Sequence, residues 1–275
     1  MTPTGWIAIH VRSISDRSAV IQVLFAFGAE GVQELESEVV THMRSPDLEA
    51  LSGAVRTADP GAHVFSQPTP DVDWTVEWRR HLKARRVGTL VVTPPWSADD
   101  YTHEERLVIE PGMAFGTGDH ETTRGVLRLL PQVLRRGDLV ADLGSGSGVL
   151  AIAAARLGAR HVYGIENDPD ATGNAEMNVR LNEAAGAVTI MEGDAFMLLP
   201  LVAPVHVVLA NIVTPVLIEL LPLIAAAVGQ EGRAILSGIL VEESRRMRSA
   251  VAAGGWTVTA VEEEGLWWSA AICRA

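Results

Sequence analysis

The sequence predicts an α/β fold, a mostly parallel sheet covered by helices on both faces, preceded by a small N-terminal α+β domain. Three observations carry that prediction. From Asp138 onward, short apolar runs at 138–143, 161–166, 188–191, 205–210 and 233–238 alternate with helical stretches, the pattern of a parallel sheet. The chain then closes with runs at 256–261 and 267–273, joined by residues 262–266. That join is too short for a crossover, so the last two strands must be antiparallel neighbours. The first 66 residues order their elements differently.

In that first part, residues 6–11 read as a strand, and Ser15 is placed to cap a helix over 16–27. Gly28 and Gly31 break the helix before a second strand, 32–42; a helical stretch at 47–56 and a strand at 63–65 follow. Residues 1–66 therefore form the small domain, and 67–96 a connector: a proline-containing acidic stretch, a helix over 74–83 and a connecting strand. The main domain is 97–275. Arg79, Arg80, Lys83, Arg85 and Arg86 cluster in and just after the connector helix and read as its solvated face.

A chain of 275 residues is long enough for a large and a small domain, and with 48% apolar residues both can bury a core. Acidic residues outnumber basic ones by 34 to 22. That balance argues against a wide grip on a nucleic-acid backbone, which needs positive potential. It favours approach of a basic protein, in a salt-dependent way. The single cysteine, Cys273, lies in the last apolar stretch, and no Cys/His cluster has metal-ligand spacing. Residues 1–11 lack a basic region followed by an apolar run and a small-residue cleavage site, so a secretory signal is not expected there. Residues 201–228 are apolar enough to suggest a membrane span, but they contain His206, Asn211, Thr214, Glu219 and three prolines. A buried strand over 205–210 followed by a buried helix over 215–228 accounts for them. The expectation is a cytoplasmic protein without membrane, nucleic-acid or metal partners, and nothing demands more than a monomer.

The first strand of the sheet runs into glycines at every second position, Gly144, Gly146 and Gly148, and twenty residues later the next strand ends on Glu166. Glycines there let the backbone turn sharply and approach a ligand that any Cβ would push away. Dinucleotide sites use G-x-G-x-x-G with a pyrophosphate on the helix N-terminus. Here the spacing is G-x-G-x-G with Asp142 two residues ahead. An acid would repel a pyrophosphate, whereas it suits the ammonium group of S-adenosylmethionine, and Glu166 is placed to accept from ribose hydroxyls. A glycine turn serving packing alone is the plain alternative; Asp142 and Glu166 in register weigh against it. Asp194, after the third strand, stands where an adenine amino group needs an acceptor, although a turn acid explains it equally well. Asn211 ends the fourth strand, at the edge where ligands bind in such sheets.

Ahead of the sheet stands Glu-Pro-Gly-Met-Ala-Phe-Gly-Thr-Gly-Asp-His-Glu-Thr-Thr at 110–123, a glycine-rich loop leading into a helix that opens at His120 and runs to Leu134. With Ala210-Asn211-Ile212, Gly238-Ile239-Leu240, Trp74-x-x-x-Trp78, Val87-Gly88 and Pro94-Pro95-Trp96, this string closely resembles the ribosomal protein L11 methyltransferases of the PrmA type. The resemblance covers roughly residue 74 to the end. The seven-stranded arrangement with its terminal hairpin likewise resembles the Rossmann-like class I S-adenosylmethionine-dependent methyltransferases.

The resemblance implies a protein N-methyltransferase acting on lysine ε-amino groups, and the N-terminal α-amino group, of ribosomal protein L11. Thr123, Gly144, Glu166 and Asn211 would contact the cofactor, Phe115 and Thr117 would close over it, and Asn211 would lie between sulfonium and incoming amine. Residues 1–66 match only in size and element order, as a substrate-recognition domain. Glu166 stands where the family more often has aspartate, which keeps the chemistry and lengthens the reach. His120 is either a proton acceptor or a structural residue at the helix start, the second being favoured. Two rivals stay open: lysine methylation of another protein, such as an electron-transfer flavoprotein subunit, and a catalytically silent cofactor-binding module that docks on a partner. Glutamine-amide methylation is disfavoured, because Asn211-Ile212-Val213-Thr214 replaces the Asn-Pro-Pro-Tyr that such enzymes carry.

Overall fold

The computed structural model describes residues 6–12, 15–29, 32–35, 37–44, 46–68, 82–112 and 118–274. The chain divides into two compact units, Met1–His81 and Leu82–Ala275.

In the first unit, β1 (Trp6–Arg12), α1 (Arg17–Ala26), β2 (Val32–Glu34), β3 (Val39–Arg44), α2 (Leu48–Ala58) and β4 (His63–Pro68) follow one another. The strands form an antiparallel sheet in the order β2-β3-β1-β4, a split βαβ arrangement. Ile9, Val11, Leu24, Met43 and Leu51 form its core. The strand expected over 32–42 is instead a hairpin: the Leu35 N–H donates to the Glu38 carbonyl at 2.8 Å and turns the chain. The helix cap is Asp16 rather than Ser15. The Ser15 hydroxyl donates to Asp59 at 2.8 Å, and the Asp16 carboxylate accepts from the Ala19 N–H in its place.

The second unit opens with a three-stranded sheet, β5 (Arg85–Val87), β6 (Leu90–Thr93) and β7 (Arg106–Val108). Residues 82–96, read from sequence as the end of a connector, thus contain two paired strands. The connector helix expected over 74–83 lies, up to residue 81, outside the described residues, and so do Phe115 and Thr117.

Next come α3 (Glu121–Val133), β8 (Leu139–Leu143), α4 (Val149–Arg156), β9 (His161–Glu166), α5 (Pro169–Leu181), β10 (Val188–Glu192) and α6 (Ala195–Val202). The unit ends with β11 (Val207–Asn211), α7 (Thr214–Val228), β12 (Arg233–Leu240), α8 (Ser244–Ala253), β13 (Trp256–Glu264) and β14 (Trp267–Arg274). The large sheet is ordered β10-β9-β8-β11-β12-β14-β13. Only β14 runs against its neighbours. Central strands such as β8 and β11 are apolar runs because helices cover both their faces, burying Val140 and Leu209 on one side and Leu143 and Val208 on the other. The stretch 201–228 resolves into the end of α6, β11 and α7. Among the described residues no helix is long and apolar enough to cross a membrane.

This strand order fixes where a ligand can sit. β8 lies between β9 and β11, and the crossovers leave it in opposite directions, which opens a crevice at the carboxyl ends of these strands.

Candidate active site

At the end of β8 the chain enters three left-handed glycines, with φ of +66° at Gly144, +52° at Gly146 and +80° at Gly148. Side-chain-bearing residues resist that conformation, so the G-x-G-x-G spacing is a backbone requirement. The Gly144 and Ser145 N–H groups both donate to the Ile165 carbonyl, at 2.8 and 3.1 Å, and pin the loop to β9. Glu166, at the end of β9, reaches back across this loop. Its Oε2 accepts from the Gly146 N–H at 2.8 Å, and Oε1 accepts from Asn167 and Asp168 at 2.9 and 3.0 Å. A carboxylate offers about four acceptor positions, so backbone amides occupy most of them.

The loop forms one wall of a cavity of about 550 Å³, a size typical of small-molecule sites. Gly144, Gly146, Glu166 and Asp168 line one side; Asn211, Ile212, Val213 and Gly238 the second; His120, Thr122 and Trp267 the third. An adjoining cavity of about 270 Å³ shares Gly144 and Ile212 and adds Asp194 and Phe196. Asp194 caps α6 by accepting from the Phe196 N–H at 2.7 Å, so its role as a turn acid is real, and it still lines this second cavity.

Asn211 closes β11, and its amide donates to the Thr122 hydroxyl at 3.1 Å. Thr122 sits in the first turn of α3, where the His120 ring is the cap: Nδ1 accepts from the Thr122 N–H at 3.3 Å and lies 2.8 Å from its hydroxyl. The ring stands edge-on to Trp267, with centroids 5.1 Å apart. Behind Asn211, the backbone of Gly238 presses against that of Ile212. A Cβ on Gly238 would stand 2.6 Å from the Ile212 carbonyl oxygen.

The structure thus brings Gly144, Gly146, Glu166 and Asn211 to one cavity and Asp194 to its neighbour. It does not bring Thr123 or Asp142 to either lining. Thr123's neighbour Thr122 lines the cavity, because successive helical residues point about 100° apart. The Thr123 hydroxyl is buried without a partner. Asp142 is fully buried at the end of β8, and neither carboxyl oxygen has a hydrogen-bond partner. Burial pushes its carboxyl up to about 8, and the Glu166 charge adds to the push; the Ala151 amide opposes it from outside hydrogen-bond geometry. Burial thus favours the neutral acid at Asp142 over the expected carboxylate. Sequence reasoning missed Thr122, Asp168, Ile212, Val213, Gly238 and Trp267 as lining residues. For Thr122 the helix phase was the available signal; Trp267 had none, since it arrives through the pairing of Leu240 with Trp267.

The residues fit S-adenosylmethionine on structural grounds. A Cβ on Gly144 would stand 3.3 Å from Ile212 and fill part of the cradle. The Asp142 carboxyl and the Ser145 and Thr123 hydroxyls are orphaned buried groups in and around the loop, the kind that a polar ligand satisfies.

Comparison with known proteins settles the family. Residues 35–274 match the sequence model of the ribosomal protein L11 methyltransferases (PrmA). The chain belongs to that family. It is 39% identical over 263 residues to the ribosomal protein L11 methyltransferase of Thermus thermophilus, covering 95% of this chain and 97% of that one. To the enzyme of the same name from a Synechococcus species it is 40% identical over 211 residues, covering 75% and 70%. A crystal structure of the ribosomal protein L11 methylase from Lactobacillus delbrueckii superposes with a TM-score of 0.62 at 28% identity, covering 70% of this chain and 99% of that one. The PrmA-family chain is accordingly an S-adenosylmethionine-dependent protein methyltransferase with the class I sheet.

Proposed function

We propose that this PrmA-family protein transfers methyl groups from S-adenosylmethionine to lysine ε-amino groups, and to the N-terminal α-amino group, of ribosomal protein L11. The observation that carries the proposal is the position of Asn211. It lines the same cavity as the glycine cradle and as His120, Thr122 and Trp267, so in this reading one amide would face both partners of a transfer. Gly144 and Gly146 would hold the amino-acid end of the cofactor, Glu166 the ribose and Asp194 the adenine; Thr123, with its orphaned hydroxyl, and the loop with Phe115 and Thr117 would complete the enclosure.

S-adenosylmethionine, when bound, supplies a methyl carbon on a sulfonium sulfur. The chain must supply alignment, exclusion of water and a neutral nucleophile. A lysine with an ordinary pKa of about 10.4 is almost all ammonium at pH 7, and presenting the free amine costs about 4–5 kcal/mol. A largely apolar pocket beside a positive charge lowers that cost by disfavouring a second cation. Asn211 is no base, but its amide orients the amine. The Nδ1 of His120 is committed to Thr122, which fits the structural role for this ring rather than that of proton acceptor.

Residues 1–66 serve in this reading as the substrate-recognition domain, the connector 67–96 joins them to the catalytic domain 97–275, and the net charge of −12 suits a basic ribosomal partner in the cytoplasm. A monomer suffices in this reading. The rivals, methylation of an electron-transfer flavoprotein subunit and a silent docking module, find no support in the relatives described. The decisive experiment incubates the protein with labelled S-adenosylmethionine and purified ribosomal protein L11 and maps the label by mass spectrometry. Label on lysines of L11 is expected; cofactor binding without label on L11 refutes the substrate assignment.

A further inference from the structure

We infer that Thr122 and His120 are positioning residues that fix which end of the Asn211 amide meets the substrate amine. The inference rests on the methyltransferase reading above and adds two residues to it.

The argument starts at a backbone group. The Thr122 N–H can only donate, and it is directed at His120 Nδ1 at 3.3 Å. Nδ1 is therefore the acceptor nitrogen, and the ring carries its proton on Nε2. The Thr122 hydroxyl lies 2.8 Å from the same Nδ1, so it too must donate to it. That commits the only proton the hydroxyl has. Toward Asn211, 3.1 Å away, Thr122 can then only accept, and Asn211 must present its NH2. The opposite orientation would set two acceptor oxygens against each other. The amide oxygen of Asn211 is thereby left for the cavity that Asn211 lines.

The surroundings hold this arrangement in place. Thr122 is buried, so water does not compete for its hydroxyl. Its carbonyl accepts from the Ser237 hydroxyl at 3.1 Å, and the His120 ring packs edge-on against Trp267. The chemistry depends on the outcome. An amide NH2 facing the substrate would donate into the amine lone pair and occupy the electrons needed for attack. An amide oxygen accepts an amine N–H instead and leaves the lone pair directed at the methyl carbon.

The test has two arms. Nitrogen-15 NMR of the wild-type protein should show the neutral His120 ring protonated at Nε2; protonation at Nδ1 overturns the inference without recourse to any variant. Steady-state kinetics on ribosomal protein L11, with cofactor affinity by calorimetry, forms the second arm. Thr122→Val keeps the shape and loses the hydroxyl, and it should lower kcat roughly tenfold to a hundredfold while cofactor Kd stays within about threefold. Thr122→Ser restores the hydroxyl and should recover most of that loss. Wild-type kcat in Thr122→Val, or a Thr122→Ser enzyme as slow as Thr122→Val, would show that packing alone matters there and refute the role. Wild-type protein that binds cofactor yet leaves L11 unmethylated refutes the substrate assignment instead, and the NMR arm still decides the hydrogen-bond chain.

Discussion

Arg124 grips the carboxylate of Glu264, with Nε 3.0 and 3.2 Å from its two oxygens and Nη2 2.7 Å from one of them. Arg128 adds a 2.6 Å contact to the same group. The pair joins the first turn of α3, which carries His120 and Thr122, to the end of β13, close before Trp267. The two elements that build this wall of the cavity are thus held together by one ion-pair cluster, partly shielded from solvent.

Replacing Glu264 with glutamine should cost about 1 kcal/mol of stability near neutral pH, as bidentate but partly exposed pairs do. Hydrogen bonding from Arg124 above all, helped by Arg128, holds the Glu264 carboxyl below its usual range although burial pushes it up. A depressed carboxylate contributes stability above its unfolded pKa and loses it as pH falls through the folded value. The gap between wild type and Glu264→Gln should therefore narrow in acid, below the ordinary range of glutamate. Denaturant titrations at neutral and acidic pH would show this, and a gap independent of pH would contradict it.

Asp142 predicts the opposite sign. Its pKa is raised in the fold to about 8, so between roughly pH 4 and 8 the native state holds a proton that the unfolded chain releases. Stability from this group is full below that window and declines as pH rises through it. Asp142→Asn, uncharged and similar in shape, should lose the decline and gain on wild type by a few kcal/mol toward pH 8. Urea midpoints at pH 5 and 8 would test it; parallel changes in the two proteins would assign the slope elsewhere.

Gly238→Ala should destabilise by roughly 2 kcal/mol, since φ is +82° and the added methyl would meet the Ile212 carbonyl. Because Ile212 follows Asn211, kcat should fall as well. Thermal melts and initial rates check the two effects, and an alanine variant with wild-type values of both would show that the contact yields freely.

Glu166→Asp shortens the reach by one methylene, so the side chain can no longer serve Gly146 on one side and the Asn167–Asp168 amides on the other. Cofactor affinity should drop about tenfold, equivalent to one lost hydrogen bond of about 1.4 kcal/mol. Calorimetric titration with S-adenosylmethionine measures it directly. Unchanged affinity would remove Glu166 from the cofactor contacts.

How much of this was legible in the sequence depended on the range of the interaction. Alternating apolar runs gave the large sheet because strands buried on both faces have to be apolar, and the short join near residue 265 forced the last pair to be antiparallel. The glycines of the cradle and Glu166 were legible because local backbone geometry demands them. Thr122 was not separated from Thr123, because the choice rests on one residue of helix phase. Asp142 was expected as a charged ligand group; only the packed neighbourhood reveals that it is sealed in, where burial favours its neutral form. Trp267 was invisible because it owes its place to partners far along the chain, Leu240 and His120. In the first unit, the turn at 35–38 was hidden by β-prone residues on both sides of it.

The lone reversed strand of the large sheet has one more outcome. Parallel strands deliver their final residues to the crevice, whereas β14 delivers its opening one, and the tight bend ahead of it therefore chooses which indole looks inward. Trp267 faces the crevice while its neighbour Trp268 is packed in the interior beneath Arg248. Adjacent strand positions lie on opposite sides, so the register of β14 decides which indole lines the cavity. The aromatic wall of the pocket is in this sense set by a pairing register fixed outside the residues that line the cavity.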